Sequence, residues 1–254
     1  MTIKHILTPY FLDEVEEDMF DLAKPGWEVI QPFLPPGTKK ERMATLYRSL
    51  RDAVAAAAAA GDKPVSVAGD CCTTIGVLAG LQQAGVAPSL IWFDAHGDFN
   101  TWETSPSGFL GGMPLAMLVG LGEQTIVEGI GMKILPEERV ILTDARDLDP
   151  GEKEAVAGSG VKHLTDVADL LESPLPEGPI WVHFDVDILN TRELPAVSYP
   201  APGGPSADLL RRVFKRLAST GRLVAVSLSS WNDELDQDGR SRDLSMELLS
   251  VLVD

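Results

Sequence analysis

The fold class is decided by the stretch Pro179-Ile180-Trp181-Val182-His183-Phe184, which leads directly into Asp185-Val186-Asp187. Its first six residues include no acidic residue, lysine or arginine and are rich in β-branched and aromatic side chains, which predicts a strand buried on both faces. Such strands occur in parallel sheets that are covered by helices on both sides. The two aspartates follow the strand at once, so the same stretch also locates a candidate site at the carboxyl end of the strand.

Similar short apolar runs alternate with helical segments along the rest of the chain. Strands are predicted over residues 64–67, 89–93, 140–143, 179–184 and 223–228, and helices over residues 39–60, 74–84, 114–121, 150–157, 206–220 and 244–252. The first 36 residues are predicted to hold one strand followed by irregular chain. This alternation predicts an α/β fold with three α/β/α layers and a mostly parallel central sheet. Because there is no internal repeat and no long linker, residues 1–254 are predicted to form a single domain.

Composition narrows the classes of function. The formal net charge is −17, from 38 acidic and 21 basic residues, which disfavours nucleic acid or an anionic membrane surface as a partner. No apolar run approaches the ~20 residues that span a bilayer, and the N-terminus lacks the basic region and apolar block of a secretion signal. A cytoplasmic location is therefore expected. The two cysteines, Cys71 and Cys72, are adjacent, which argues against a disulfide framework.

Unusual polar residues follow three of the predicted strands. They are the segments Gly69-Asp70-Cys71-Cys72, Asp94-Ala95-His96-Gly97-Asp98 and Asp185-Val186-Asp187. Functional groups collect at the carboxyl ends of parallel strands, and residues two apart in extended chain point the same way, so these side chains are expected to converge. Carboxylates this close repel one another unless cations neutralise them, and oxygen ligands with one imidazole favour a divalent metal such as Mn²⁺. The alternative is a set of solvated loop carboxylates, with His96 capping a neighbouring helix.

Six segments, taken in order, resemble the motifs of one known family. They are Asp94-Ala95-His96-Gly97-Asp98-Phe99-Asn100-Thr101; Ser107-Gly108 through Gly112-Met113-Pro114; Arg146-Asp147-Leu148-Asp149-Pro150-Gly151-Glu152; His183-Phe184-Asp185-Val186-Asp187; Pro202-Gly203-Gly204; and Trp231-Asn232 through Leu235-Asp236. On these motifs the chain is identified as a divergent member of the arginase/agmatinase/formiminoglutamase (ureohydrolase) family. The resemblance implies an arginase-like fold and an amidinohydrolase, which cleaves C–N bonds other than peptide bonds in linear amidines or guanidines.

The same resemblance implies a set of site residues. One Mn²⁺ ion would be held by Cys71, Asp94, Asp98 and Asp185, and a second by Asp94, His96, Asp185 and Asp187, with Asp94 and Asp185 bridging. Catalytic roles fall to Asp98 and His96, and Asp70 would orient the ligand beside it. The amino-acid end of a small-molecule substrate would contact Asn100, Ser107 and Asp149. Family members are commonly trimers or hexamers, which implies a homo-oligomer.

Three positions depart from the family pattern. Cys71 stands where the family has a metal-binding histidine, and a thiolate there would shift preference toward Zn²⁺ or weaken Mn²⁺ binding, unless the cysteine is a buried, inert residue. Gly111 takes the place of the proton-donating histidine, and Ser230 that of the glutamate that pairs with the guanidinium. Phe109 makes the same loop more apolar. A substrate with a better leaving group, such as an N-hydroxyguanidine, would depend less on the missing acid.

Two further hypotheses remain open at this point. One is a non-catalytic ureohydrolase homologue that binds a metal or a ligand, which the losses at Gly111 and Ser230 favour. The other is a hydrolase with a single zinc ion, held by either the Cys71 side or the His96 side. His183 shares its strand parity with Asp185, so it either touches the site or makes a structural hydrogen bond. Trp92, Trp181 and Phe184 are predicted to lie in the core.

Overall fold

The computed structural model describes residues 2–253. Its strands are β1 (Ile3–Thr8), β2 (Tyr10–Phe11), β3 (Glu14–Val15), β4 (Glu28–Val29), β5 (Lys63–Ala68), β6 (Ser89–His96), β7 (Val140–Asp147), β8 (Lys162–Leu164), β9 (Ile180–Asp185) and β10 (Leu223–Ser229). Its α-helices are α1 (Lys39–Ala59), α2 (Thr74–Gln83), α3 (Pro114–Leu118), α4 (Thr125–Ile130), α5 (Pro150–Gly158), α6 (Ala207–Ser219) and α7 (Arg240–Val253). None of the helices between residues 2 and 253 is both long enough and apolar enough to cross a membrane.

Eight strands form one sheet, in the order β4-β1-β5-β10-β9-β6-β7-β8, and every neighbouring pair in it is parallel. Strands β2 and β3 form a separate antiparallel pair. The mostly parallel sheet confirms the predicted fold class. It also brings the carboxyl ends of β5, β9 and β6, the three that the sequence marked, to one edge of the sheet, with β10 lying between β5 and β9.

Alternating side chains of each central strand feed two separate cores, one on each face of the sheet. On β6, Trp92 belongs to the core beneath α1 and α2, whereas Phe93 belongs to the core beneath α6 and α7. Phe93 and Phe184 both pack edge-on against Phe214 of α6, with ring centroids 5.1 Å apart in each pair. Trp92, Trp181 and Phe184 are fully buried, which confirms their prediction as core residues. The helices therefore lie in two layers, as the strand pattern requires.

The alanine run of the sequence lies in α1, which begins at a capping box between Thr38 and Glu41. Thr38 Oγ1 accepts a hydrogen bond from the Glu41 amide, and the Thr38 amide donates to Glu41 Oε2 at 2.8 Å. Small side chains let α1 and α2 approach closely, because a Cβ atom at Gly80 of α2 would lie only 2.6 Å from the Arg51 carbonyl oxygen. The run is thus a packed helix, as predicted from the sequence.

Several elements differ from the sequence-based prediction. The strands β2, β3, β4 and β8 and the helix α4 were not predicted, since they have two to six residues and lack a long apolar run. Helix α7 begins at Arg240 rather than at residue 244, and α3 ends at Leu118 rather than at 121. These corrections concern the sheet edges and helix ends, so the central strands that carry the site are unaffected.

Candidate metal centre

Two aspartates begin the site with the same local geometry. Asp94, near the carboxyl end of β6, accepts a hydrogen bond from the His96 amide at 2.7 Å through Oδ1. Asp185, the last residue of β9, accepts one from the Asp187 amide at 2.9 Å through Oδ1. Near the end of each strand, an aspartate side chain therefore makes a local turn by capping the amide two positions later. Because Phe93 and Phe184 are paired across the sheet, the two turns lie next to each other.

His96 bridges the two turns. Its Nδ1 lies 3.0 Å from Asp187 Oδ2 and 3.4 Å from Asp94 Oδ1. Burial alone would lower the pKa of His96, but its hydrogen bonds to Asp187 and Asp94 raise that pKa to about 12. Protonated His96 is a cation that neutralises the carboxylates on either side of it. A metal ion could take over that role.

Four buried carboxylates face one another in this cluster: Asp94, Asp98, Asp185 and Asp187, each at most 5% exposed. Burial, and then the negative charges of its neighbours, raise the pKa of every one of them, to about 6 for Asp94. Asp98 Oδ2 is buried and has no hydrogen-bond partner within the described chain. A buried, unpaired carboxylate oxygen costs several kcal/mol unless a cation meets it, so these residues fit a divalent metal.

The other side of the cluster is built around Cys71. Its Sγ donates to Asp185 Oδ2 at 2.8 Å and lies 3.1 Å from Ser229 Oγ and 3.3 Å from His183 Nε2. Burial, and then the negative charge of Asp185, raise the pKa of the Cys71 thiol. Without a cation the residue is therefore a neutral thiol, and it could act as a ligand only after losing its proton.

His183 completes this side of the site. Its Nδ1 lies 2.9 Å from Ser227 Oγ, and burial lowers its pKa to about 3, so the ring is neutral. One donor atom from each of Cys71, Asp94, His183 and Asp185 lies within 4.8 Å of the others, and a second such group is formed by Asp94, His96 and Asp187. The two groups share Asp94. The sequence alone had left open whether His183 touches the site, and the structure places it against Cys71.

Neighbouring polar residues hold these donors in place. Asp70 accepts hydrogen bonds from the Cys72 and Leu12 amides, both at 2.7 Å, and thereby fixes the turn that carries Cys71. Trp92 Nε1 donates to Asp94 Oδ2 at 3.0 Å, so this core residue also orients a carboxylate. Cys72 points away from the cluster, and its Sγ donates to the Leu110 carbonyl oxygen at 3.4 Å.

Other family-like motifs contain no expected metal ligand, and their residues stabilise the loops around the site. Glu152 of α5 accepts hydrogen bonds from the Phe99 amide at 2.8 Å and from the Asp149 amide at 3.2 Å. The Arg146 guanidinium donates to the main-chain oxygens of Asp187, Ile188, Ala201 and Pro202. Gly204 has a φ of +93°, and a Cβ atom there would lie 2.4 Å from the Ile188 oxygen, which explains the glycine.

The cluster lies at the floor of a cleft of about 240 Å³. The residues expected to bind substrate, Asn100, Ser107 and Asp149, all line this cleft. Asn100 Nδ2 donates to Asp149 Oδ2 at 3.0 Å, and Ser107 Oγ accepts from the Phe109 amide at 3.2 Å. The sequence did not single out Glu16, which lines the same cleft from the N-terminal segment. Of the lining residues in the described chain, none is a lysine or an arginine.

Two of the departures noted in the sequence have structural counterparts. A Cβ atom at Gly111 would lie 2.3 Å from the Phe109 ring, so that ring fills the space next to Gly111. Ser230 has a φ of +74°, and its hydroxyl donates to Asp185 Oδ2 rather than pointing freely into the cleft. Ser230 is therefore committed to a carboxylate of the cluster.

The parallel sheet and the cluster of carboxylate, imidazole and thiol groups at its carboxyl edge define an α/β protein with a candidate metal centre for two ions. The model of the arginase family matches residues 17–253. The chain belongs to the arginase family.

Relatives within this family include enzymes with two kinds of name. The arginase of Bacillus subtilis (strain 168) is 33% identical over 204 residues, which are 75% of this chain and 68% of that protein. The N(omega)-hydroxy-L-arginine amidinohydrolase of Streptomyces lavendulae is 30% identical over 193 residues, covering 75% of this chain and 68% of its own length. A crystal structure of the B. subtilis arginase superposes with a TM-score of 0.86 at 26% identity, covering 100% of this chain and 98% of the other.

Membership of this family makes the chain an arginase-family hydrolase, of the amidinohydrolase type. Dependence on metal is general to the family, and the donor clusters of this chain agree with it. The hypothesis of a non-catalytic homologue is therefore not favoured.

Proposed function

We propose that this protein hydrolyses a C–N bond in a linear amidine or guanidine, using a pair of Mn²⁺ ions. The observation that carries the proposal is Asp98 Oδ2, a buried carboxylate oxygen without a partner beside three other buried carboxylates. A cation would neutralise such a group, and the cleft above it is large enough for a small substrate. Residues 1–254 would act as one domain, in a cytoplasmic homo-oligomer, a trimer or hexamer by resemblance.

The ligands of the two ions are taken from the family resemblance: Cys71, Asp94, Asp98 and Asp185 would hold one ion, and Asp94, His96, Asp185 and Asp187 the other. The two donor groups of the structure support these sets in part, since the first contains His183 and not Asp98, and the second lacks Asp185. When bound, a pair of divalent cations lowers the pKa of water toward neutrality and so makes hydroxide available for attack. The neutral ring of His183 beside Cys71 gives the first position a sulfur and a nitrogen donor, which supports Zn²⁺ as the alternative metal there.

The protein's own side chains would orient the reactants and move the proton. The oxygen of water bonds to the amidine carbon, the C=O bond forms as the C–N bond breaks, and the leaving amine takes up both protons of the water, the first by way of the protein. Asp98 has two carboxylate oxygens, so with one of them on a metal ion the other would accept this first proton and return it to the leaving nitrogen. His96, held between Asp94 and Asp187, would donate a hydrogen bond toward the substrate or position a ligand carboxylate. Asn100, Ser107 and Asp149 line the part of the cleft where the end of the substrate that does not react would lie.

Gly111 makes a substrate with an activated leaving group the best candidate. No imidazole stands at this position to protonate the departing nitrogen, and the Phe109 ring fills the adjacent space. In an N-hydroxyguanidine the hydroxylated nitrogen is the less basic one, so its departure as hydroxylamine needs less help from a general acid. The likeness to an amidinohydrolase named for N(omega)-hydroxy-L-arginine agrees with this choice.

An assay of metal-loaded protein tests the proposal. Release of urea, hydroxyurea, hydroxylamine, formamide or ammonia should be measured with arginine, agmatine, 4-guanidinobutyrate, formiminoglutamate and N-hydroxyarginine. We expect turnover of at least one compound with Mn²⁺, and none with the Asp185→Asn variant, which lacks a carboxylate shared by both ions. If every compound is inert with metal bound at the site, the hydrolase proposal is wrong and the non-catalytic hypothesis takes its place. Metal analysis of the same samples separates the two-ion site from a site with one zinc ion.

A further inference from the structure

Three aromatic rings from three separate segments meet at the cleft. Phe109, from the loop before α3, stands between Phe11 of β2 and Tyr199 of the loop before α6. Its ring centroid lies 6.2 Å from that of Phe11, in a stacked arrangement, and 5.3 Å from that of Tyr199. All three line the cleft, and Tyr199 remains 50% exposed. This aromatic wall, Phe11–Phe109–Tyr199, therefore gives the substrate an apolar surface beside the acidic floor.

The wall is continuous because Gly111 has no side chain. A Cβ atom at Gly111 would lie 2.3 Å and 2.4 Å from two atoms of the Phe109 ring, so any larger residue would push the ring out of its place. Glycine at position 111 thus does more than remove a functional group. It leaves room for the aromatic ring on that side of the cleft.

The polar residues nearby are poorly placed to hold a charged carboxylate. The Asn100 side chain is engaged at both ends, since Nδ2 donates to Asp149 and Oδ1 accepts from Thr104 Oγ1 at 2.9 Å. No lysine or arginine lines the cleft within the described chain, and Glu16, Asp147 and Asp149 add negative charge around it. A substrate carboxylate beside Glu16, Asp147 and Asp149 would meet repulsion, whereas an uncharged apolar tail would not.

From these contacts we infer that the substrate is an amidine or guanidine whose non-reacting end is a flat apolar group, which stacks on Phe109 and Tyr199. The inference rests on the proposed hydrolase function and adds the substrate class. Phe109 and Tyr199 become the residues that determine specificity, and the amidine lies over the metal cluster at the floor of the cleft. Aromatic contacts of this kind change affinity by about 10-fold or somewhat less beyond the effect of burial.

The test compares three probes that share one reacting group: benzylguanidine, butylguanidine and 4-guanidinobutyrate. Because Trp231 lines the cleft, dissociation constants are measured on the metal-loaded protein by tryptophan fluorescence. The signal is read within seconds of mixing, before a substrate is turned over. We expect benzylguanidine to bind about 10-fold more tightly than butylguanidine, and 4-guanidinobutyrate to bind most weakly. Phe109→Leu keeps an apolar side chain without a ring, and it should abolish the preference for benzyl over butyl. Phe33→Ala, which removes a ring that is 85% exposed and outside the cleft, should preserve it.

Each outcome decides the inference. Should Phe109→Leu fail to fold, Tyr199→Ala at its half-exposed position carries the same test. Equal or tighter binding of 4-guanidinobutyrate, an unchanged benzyl preference in both variants, or no binding of any probe overturns the inference. Urea release is assayed separately in the same samples. Tight benzylguanidine binding without urea release from any compound would count against the hydrolase function. It would still support stacking of an aromatic group on Phe109 and Tyr199.

Discussion

His183 Nε2 lies 3.3 Å from Cys71 Sγ at the buried side of the metal cluster, although 112 residues separate the two in the chain. The contact joins β9 to the turn after β5, across the intervening strand β10. Ser227 Oγ of β10 lies against the other ring nitrogen of His183. Because burial lowers the pKa of His183 to about 3, the ring that faces the thiol is neutral. A sulfur and a nitrogen donor thus meet on this side of the cluster. Such donors disfavour an ion that prefers oxygen ligands.

The thiol of Cys71 is expected to bind metal, and the adjacent Cys72 provides the control. In protein loaded with Co²⁺, ligation by sulfur should give an intense near-ultraviolet absorption band. Cys71→Ser should abolish that band and weaken binding of one of the two ions. Cys72→Ser should change neither, because the Cys72 thiol points to the Leu110 oxygen instead. A band that survives in Cys71→Ser would contradict the assignment.

A second prediction concerns the stability of the protein without metal. Asp98→Asn removes one charge from four buried carboxylates that repel one another, and burial with the charges of Asp94 and Asp185 already raises the pKa of Asp98. In the presence of a chelator the variant should be more stable to urea by about 0.5–2 kcal/mol. Adding Mn²⁺ should raise the melting temperature of the original protein more than that of the variant. A variant that is less stable than the original protein in the presence of chelator would show that repulsion between these carboxylates does not destabilise the metal-free protein.

Much of this architecture is encoded in local patterns. Apolar runs of strand length ending in aspartates, such as residues 179–187, predicted both the parallel sheet and the edge at which the site lies. The missed elements depend on tertiary contacts: Lys162–Leu164 is a strand only because its backbone pairs with β7 at the sheet edge. With two polar residues among three, it carries no apolar signal.

The same limit applies within the site. Strand parity puts His183 on the face of Asp185, but its contact with Cys71 depends on which strand lies beside which, and that order is set by the whole sheet. The position of the Phe109 ring against Gly111 likewise depends on Phe11 and Tyr199, which come from distant segments. Ligand types could therefore be predicted from the sequence, whereas the contacts between them required the fold.

Helix packing gives a third prediction. A Cβ atom at Gly80 would lie 2.6 Å from the Arg51 oxygen and 2.7 Å from Val54 Cβ, so Gly80→Ala should force α1 and α2 apart. We expect a loss of about 1–3 kcal/mol in the free energy of unfolding, despite the higher helix propensity of alanine. Gly158→Ala in α5 meets nothing within 4 Å and should be neutral or slightly stabilising. Urea denaturation of both variants measures the contrast, and equal effects would refute the close packing.

A fourth prediction concerns Glu123, a buried carboxylate that connects α1 to the start of α4. It accepts hydrogen bonds from Lys40 Nζ and from the Thr125 amide, both at 2.8 Å. Burial alone would raise its pKa, but these hydrogen bonds lower it below the ordinary value of 4.5. The stabilisation is then complete above pH 4.5 and disappears as the pH falls through the lower pKa of the folded protein.

Glu123→Gln should therefore reduce the free energy of unfolding by about 1.5 kcal/mol at pH 7. The difference from the original protein should shrink as the pH falls below 4.5, as measured by urea denaturation at several pH values. Glu128→Gln, at an exposed position of α4, is the matched control and should have little effect. A loss for Glu123→Gln that stays constant down to strongly acidic pH would show that the charge of Glu123 is not what stabilises this contact.

The last prediction couples Phe109 to Gly111. Gly111→His alone places a side chain where the Phe109 ring lies, so it should destabilise the protein and displace the ring. In Phe109→Ser/Gly111→His the space is free, and the imidazole can enter the cleft and protonate a leaving nitrogen. We expect the double variant to be more stable than Gly111→His, and to hydrolyse an unactivated guanidine such as agmatine faster by about 10²-fold at most. Phe109→Ser alone, which lacks the acid, should show no such gain. Additive effects of the two substitutions on both stability and kcat would mean that the ring and position 111 do not compete for the same space.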